Sequence, residues 1–169
     1  MYILDTNVVS ELRKVSLGKA DPRVTEWQNS VELFGCFLSV ITLMELEIGI
    51  LAMERRDASQ GNRLRAWFEH GVLQEFDGRI LPEDQAVARR CAALHVPDPA
   101  SERDALIAAT ALAHNMTVVT RNVKDFTGFG VPLLNPWHPA RVHERRASYA
   151  TRNAQAEANM VPGAGTSAT

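Results

Sequence analysis

Tyr2-Ile3-Leu4-Asp5-Thr6-Asn7-Val8-Val9 opens the chain. A wholly apolar run stops at an acid, and helical spacing then follows through Val8, Val9 and Leu12, so the stretch reads as a buried strand passing directly into a helix. The same unit recurs outward from it. Gly18 to Pro22 is a loop, and a helix is expected around Val24, Trp27 and Val31. Phe37-Leu38-Ser39-Val40 reads as a second strand, and a helix expected to start at Thr42 carries apolar positions at Ile41, Met44, Ile48, Leu51 and Ala52. Residues 62–76 read as another helix, Arg79-Ile80-Leu81 as a short strand, and residues 83–95 as a helix stopped by Pro97 and Pro99. The Ala- and Leu-rich stretch 102–114 is the strongest helix. Val118-Val119 sits in a strand ending at Thr120, and Val131 to Leu134 forms a last one, closed by Asn135-Pro136. Short apolar strands alternating with helices predict an α/β domain with a mostly parallel sheet covered on both faces.

The length of 169 residues suits one domain with a single core. Composition changes near Pro139: residues 1–139 are read as the folded domain, and 140–169 as a polar tail, disordered from about residue 150. Cys36 and Cys91 lie in apolar stretches without metal-ligand spacing, which reads as two buried thiols in a reducing compartment. Neither a basic leader nor an apolar run of the roughly 18 residues a membrane span needs is seen, so the chain is read as cytoplasmic. The net charge of −2 supplies no global basic field. An RNA partner would need a local basic patch and a bridging metal.

Four acids share one structural address. Asp5 follows the first strand, Glu45 lies in the first turns of the helix after the second, Asp104 opens the Ala-rich helix, and Asp125 follows Thr120. Ligands of open parallel sheets bind outside the carboxyl ends of the strands. Each acid also has an ordinary explanation. Asp5 could cap its helix, Thr42-Leu43-Met44-Glu45 fits a capping box, Asp104 suits a helix N-terminus, and Asp125 could be a loop acid. Against that, Glu45 falls in line with Ile41, Ile48 and Ala52, as an acid aimed at the core. Asp104 precedes a helix apolar almost all round, so its N-terminus should face the sheet. Carboxylates brought together repel one another unless a cation joins them. Oxygen donors without His or Cys favour Mg²⁺ or Mn²⁺ over zinc.

Leu4-Asp5-Thr6-Asn7, Thr42-Leu43-Met44-Glu45, Asp104-Ala105-Leu106-Ile107-Ala108-Ala109, and Val119-Thr120-Arg121-Asn122 followed by Asp125-Phe126 resemble the ordered motifs of PIN-domain nucleases. The chain is most similar to the VapC/FitB-like toxins among them. Gly78-Arg79-Ile80-Leu81-Pro82 and Leu134-Asn135-Pro136-Trp137 add to the match, which covers about residues 1–139. The resemblance implies an α/β/α sandwich, an endoribonuclease dependent on Mg²⁺ or Mn²⁺, and a homodimer. It also implies a cognate antitoxin that blocks the site, with DNA reached only through that antitoxin. On the family's pattern Asp5 and Asp104 are the principal metal ligands, and Glu45 and Asp125 complete the acidic pocket. Thr6, Asn7, Thr120 and Asn122 support these groups or touch substrate. All four acidic positions are present.

Arg103, Arg121 and Lys124 flank two of the acids and are candidate RNA phosphate contacts; solvated surface charge is the plainer account. The apolar segment from Val40 to Met53, with Trp67 and Phe68, is either core or a surface for the antitoxin. A phosphatase of the haloacid dehalogenase type would need a second acid where Asn7 stands. A receiver-like domain would need a central phospho-accepting Asp and a later Lys, and no such pair is found. A catalytically silent PIN-like binding module is the remaining alternative, and four converging acids argue against it.

Overall fold

The computed structural model describes residues 1–138. The expected tail, 140–169, lies outside the described residues. Five strands form one sheet in the order β3-β2-β1-β4-β5: β1 Tyr2–Leu4, β2 Cys36–Ser39, β3 Ile80–Leu81, β4 Thr117–Val119 and β5 Leu133–Leu134. All four pairings are parallel, with Ile3 opposite both Phe37 and Val118. Parallel strands require crossovers, and helices supply them. α1 (Thr6–Leu12) and α2 (Pro22–Ser30) link β1 to β2. α3 (Val40–Arg56), α4 (Ala58–Trp67), a π-helical turn (Phe68–Val72) and α5 (Leu73–Glu75) link β2 to β3. The return to β4 is made by α6 (Gln85–Leu94) and α7 (Glu102–Ala113), and α8 (Val123–Phe126) precedes β5.

Alternation along the strands builds the two outer layers. Leu4, Leu38 and Val119 face one core with Val8, Val24, Leu46, Ile50 and Phe68. Ile3 and Val118 face the opposite core with Ile107, Ala108, Ala111 and Phe126. The fold is therefore the expected α/β/α sandwich on a parallel sheet. β1 stands in the middle, and the chain returns to its other side only after β3. The crevice between β1 and β4 is thus the topological switch point, where such sheets open at their carboxyl ends.

Two local readings are corrected. α3 starts at Val40, two residues before Thr42, because Ser39 caps it: its Oγ accepts the Ile41 N–H at 3.0 Å. Glu45 is then past the first turn, and no capping box forms at Thr42. Instead, the buried Thr42 hydroxyl donates to the Leu4 carbonyl at 3.1 Å and ties α3 to the end of β1. Nor does Glu45 share a core-facing stripe. The buried face of α3 is Ile41, Thr42, Leu46 and Ile50, whereas Met44, Ile48 and Leu51 are exposed.

α3 and α4 approach most closely at Gly61. A Cβ there would lie 2.5 Å from the Glu54 Cα, backbone that cannot swing away. Alanine normally favours a helix, but this clash outweighs that gain. Gly61→Ala is expected to cost about 1–3 kcal/mol, as overpacking does, and to lower the melting temperature by roughly 3–10 °C. An unchanged melting curve would show that the two helices part without cost.

Candidate active site

The buried Asp5 sits where β1 ends and α1 begins. It does cap the helix: Oδ1 accepts the Thr6 N–H at 2.6 Å. The cap uses only one oxygen. Oδ2 accepts from Thr120 Oγ1 at 2.6 Å and from Asn7 Nδ2 at 2.5 Å. Thr120 follows β4 and is fully buried; its Oγ1 also accepts the Asn122 N–H at 2.9 Å. Asn7 reaches across the same crevice, its Oδ1 accepting the Arg121 N–H at 3.1 Å. These contacts fix the plane of the Asp5 carboxylate from both sides of the switch point. Outer partners of this kind orient metal-ligating groups, and their loss costs about 10–100-fold in affinity or activity. In the ribonuclease that the resemblance implies, Thr120→Val is accordingly expected to lower kcat/KM for RNA cleavage by that factor, with Thr120→Ser recovering most of it. Cleavage by Thr120→Val at the wild-type rate would remove the hydroxyl from the site.

Glu45 and Asp104 act on Asp5 from two further elements, and Asp125 acts on Asp104 from a third. Glu45, on α3, accepts from Thr6 Oγ1 at 2.5 Å, and its other oxygen lies 3.5 Å from Arg103 Nη1. Asp104 stands in the first turn of α7, whose next residues Ala105, Ile107, Ala108 and Ala109 are fully buried. The deeply packed helix thus carries its N-terminus to the sheet, as its composition implied. Asp125 lies on the short α8, not in a plain loop, and is exposed.

The electrostatics report the crowding. Burial pushes the Asp5 carboxyl above the usual carboxylate range, and Glu45 and Asp104 push it further; the Thr120 hydroxyl and the Thr6 N–H pull the other way. Burial likewise raises Asp104, with Asp125 and Glu45 adding to the rise and the Ser101 side chain opposing it. Asp5 thus feels Glu45 and Asp104, and Asp104 feels Asp125 and Glu45.

Glu11 was not singled out from the sequence. It is a buried acid whose pKa is lowered, chiefly by the Lys14 ammonium at 2.7 Å and also by the Asp21 N–H at 2.8 Å. It braces the turn after α1 and faces Arg121 rather than the acids. Its place after Val8-Val9 gave no signal, because its partners are set by the turn that follows.

The donor set suits a hard divalent cation. It is all oxygen, and among the described residues the one ion pair to it is Arg103 with Glu45 at 3.5 Å. Among the described residues, no three His, Cys, Asp or Glu side chains are drawn together tightly enough to hold an ion unaided. Mg²⁺ does not need that, since it keeps several waters and takes one or two carboxylates plus a substrate phosphate.

The PIN-domain sequence profile matches residues 2–127. The chain belongs to the PIN-domain family. VapC ribonuclease Y4jK of Sinorhizobium fredii is 39% identical over 148 residues, covering 83% of this chain and 100% of that protein. Toxin FitB of Neisseria gonorrhoeae is 38% identical over 144 residues, covering 82% and 99%. The crystal structure of FitAcB from Neisseria gonorrhoeae superposes with a TM-score of 0.74 at 35% identity, over 82% of this chain and 100% of that one. FitAB bound to a DNA fragment gives 0.76 at 35% identity, over 85% and 100%. In this PIN domain Asp5 follows β1, Glu45 lies on α3, Asp104 in the first turn of α7 and Asp125 on α8.

Beside the acids, the three candidate RNA contacts differ. Arg103 is half engaged with Glu45, whereas Arg121 and Lys124 are exposed. Of the residues read as an antitoxin surface, Phe68 belongs to the core. Trp67 instead lines a groove of about 460 Å³ with Val9, Leu12, Val72 and Phe76, and Arg13 stacks on its ring at 5.6 Å. Among the described residues, no helix is long and apolar enough to cross a membrane.

Proposed function

We propose that this chain is a divalent-metal-dependent endoribonuclease and the toxin of a toxin–antitoxin pair. The observation that carries the reading is the charge crowding near the switch point: Asp5 is raised by burial, Glu45 and Asp104, and Asp104 by burial, Asp125 and Glu45. A site that only held the fold together would gain nothing from that repulsion. The names of the relatives, VapC ribonuclease and Toxin FitB, support the same activity.

Asp5 and Asp104 would hold Mg²⁺ or Mn²⁺, and Glu45 and Asp125 would complete the pocket. When bound, the ion polarises a phosphate and lowers the pKa of a water for in-line attack. The chain's own residues do the rest. Thr120 and Asn7 keep the Asp5 carboxylate in one plane. Thr6 donates to one Glu45 oxygen and Arg103 lies 3.5 Å from the other, so the two hold the carboxylate in one orientation. Thr6, Asn7 and Thr120 would act through the acids they hold, and Asn122 through its backbone N–H on the Thr120 hydroxyl.

Arg103, Arg121 and Lys124 would take RNA phosphates. Three such contacts account for about 2 units of the slope of log affinity against log salt, at roughly 0.7 per phosphate of a single strand. The triple Ala variant is expected to lose that much slope. An unchanged slope would return the three to plain surface charge.

The cognate antitoxin would cover the groove at Trp67. That proposal is supported by the FitAcB and FitAB structures among the neighbours, the second bound to DNA. The exposed Met44, Ile48 and Leu51 of α3 support a homodimer. The deciding experiment is cleavage of structured and unstructured RNA by the antitoxin-free chain with Mg²⁺, Mn²⁺ or EDTA. Cutting that needs the metal is expected; cutting that persists in EDTA would overturn the metal-dependent reading.

A further inference from the structure

We propose that the exposed face of the Arg121 guanidinium is a stacking platform for one nucleobase of the RNA, beside the bond that is cut. The inference rests on the ribonuclease reading above. Arg121 directly follows Thr120 at the end of β4 and is fixed at three points. Its N–H donates to Asn7 Oδ1 at 3.1 Å, and its carbonyl accepts from Asn135 Nδ2 at 3.2 Å. Its guanidinium lies over the Trp137 ring, 5.5 Å from the centroid. Asn7 also holds Asp5 Oδ2, so the platform and the acid share an anchor.

Trp137 is itself a firm base. It is buried, its N–H donates to Asn135 Oδ1 at 2.9 Å, and its carbonyl accepts from Arg23 Nη1 at 3.0 Å. Arg121 stays exposed; its charge is felt by Glu11, but among the described residues no carboxylate lies within 4 Å of it. An arginine needed only for its charge has no use for a fixed plane. Set over an indole and exposed among the described residues, the guanidinium is a flat, cationic surface, the kind on which an unstacked RNA base rests. Every base has a π face, so the platform positions the strand without reading its sequence. Leu134-Asn135-Pro136-Trp137, which the acids leave unused, then has a role as the underside of the platform.

The test is steady-state cleavage of a labelled single-stranded RNA that the wild type cuts, and of copies with one abasic ribose at successive positions. Wild type, Arg121→Lys and Arg121→Ala are compared, with thermal melts confirming that each is folded. For the wild type, one abasic position beside the cut is expected to raise KM roughly 10–100-fold, the scale of one stacked base, with little change in kcat. Arg121→Lys keeps the charge but not the plane. It is expected to show the raised KM on intact RNA and no further rise on the abasic copy. An Arg121→Lys enzyme that responds to the abasic ribose as the wild type does, or that loses kcat instead of KM, would overturn the platform. A wild type that cuts RNA but is indifferent to every abasic position ends the platform alone. One that cuts no RNA ends the ribonuclease reading and the platform with it.

Discussion

Asp104→Asn is expected to abolish RNA cleavage by about 10²–10³-fold or more, the scale on which removal of one preorganised electrostatic group is felt, while leaving the protein at least as stable in chelator. The two effects have opposite signs for one reason. Asp104 is brought to the sheet by a helix packed with Ala105, Ile107, Ala108 and Ala109, and there it meets Glu45 and Asp125. Without a cation its charge opposes folding; asparagine keeps the shape and drops the charge. The same charge is what a metal ion would bind. Cleavage and melting of the variant, each with Mg²⁺ and with EDTA, check both halves. A variant that cuts RNA like the wild type would remove Asp104 from the site.

Saturating Mg²⁺ at pH 7.5 is expected to raise the wild-type melting temperature by roughly 5–10 °C. Ligand at a hundred times its Kd adds about 2.7 kcal/mol, and a domain of this size moves a few degrees per kcal/mol. The pH dependence follows from the raised pKa values of Asp5 and Asp104. Between the unfolded value near 3.9 and the higher folded value, the folded state holds more protons, so stability falls as pH rises through that window. The neutral carboxyls contribute fully below the unfolded value, and that contribution is gone above the folded one. Glu11 works in the opposite direction, its lowered pKa giving stability that is lost as pH falls. Comparing Asp104→Asn with the wild type cancels Glu11. In EDTA the variant should gain on the wild type as pH rises past 4, and below that pH the two should converge. A Mg²⁺ shift that persists undiminished at pH 3.5 would place the ion elsewhere.

The strands were legible because a parallel sheet covered on both faces needs short, wholly apolar runs, and Tyr2-Ile3-Leu4 and Val118-Val119 are such runs. Asp104 was legible from the apolar helix behind it. Glu45 was chosen for a reason that fails in the structure. Its supposed neighbours Ile48 and Ala52 are exposed, and what turns it to the site is the Thr6 hydroxyl, 39 residues away in sequence. The Ser39 cap was hidden because strand β2 runs into α3 without a loop, so a strand residue doubles as the cap. The hydroxyl of Thr42 and the π-helical turn after Trp67 left no trace in spacing, since both depend on partners brought by the fold.

Of the five described strands, the one translated first is the middle strand of the sheet. Tyr2–Leu4 must wait for Thr117–Val119, and Asp5 waits for a hydroxyl 115 residues further on. At about 5–20 residues per second, the N-terminal segment spends roughly 6–23 s without the neighbour that completes it. Pairings between such distant segments are also slow to form once both are present. A chain still being translated, or cut short before residue 120, lacks the Thr120 hydroxyl that orients Asp5. Synthesis itself therefore delays the appearance of the assembled site until the whole domain has emerged, giving a partner made alongside it time to be present first.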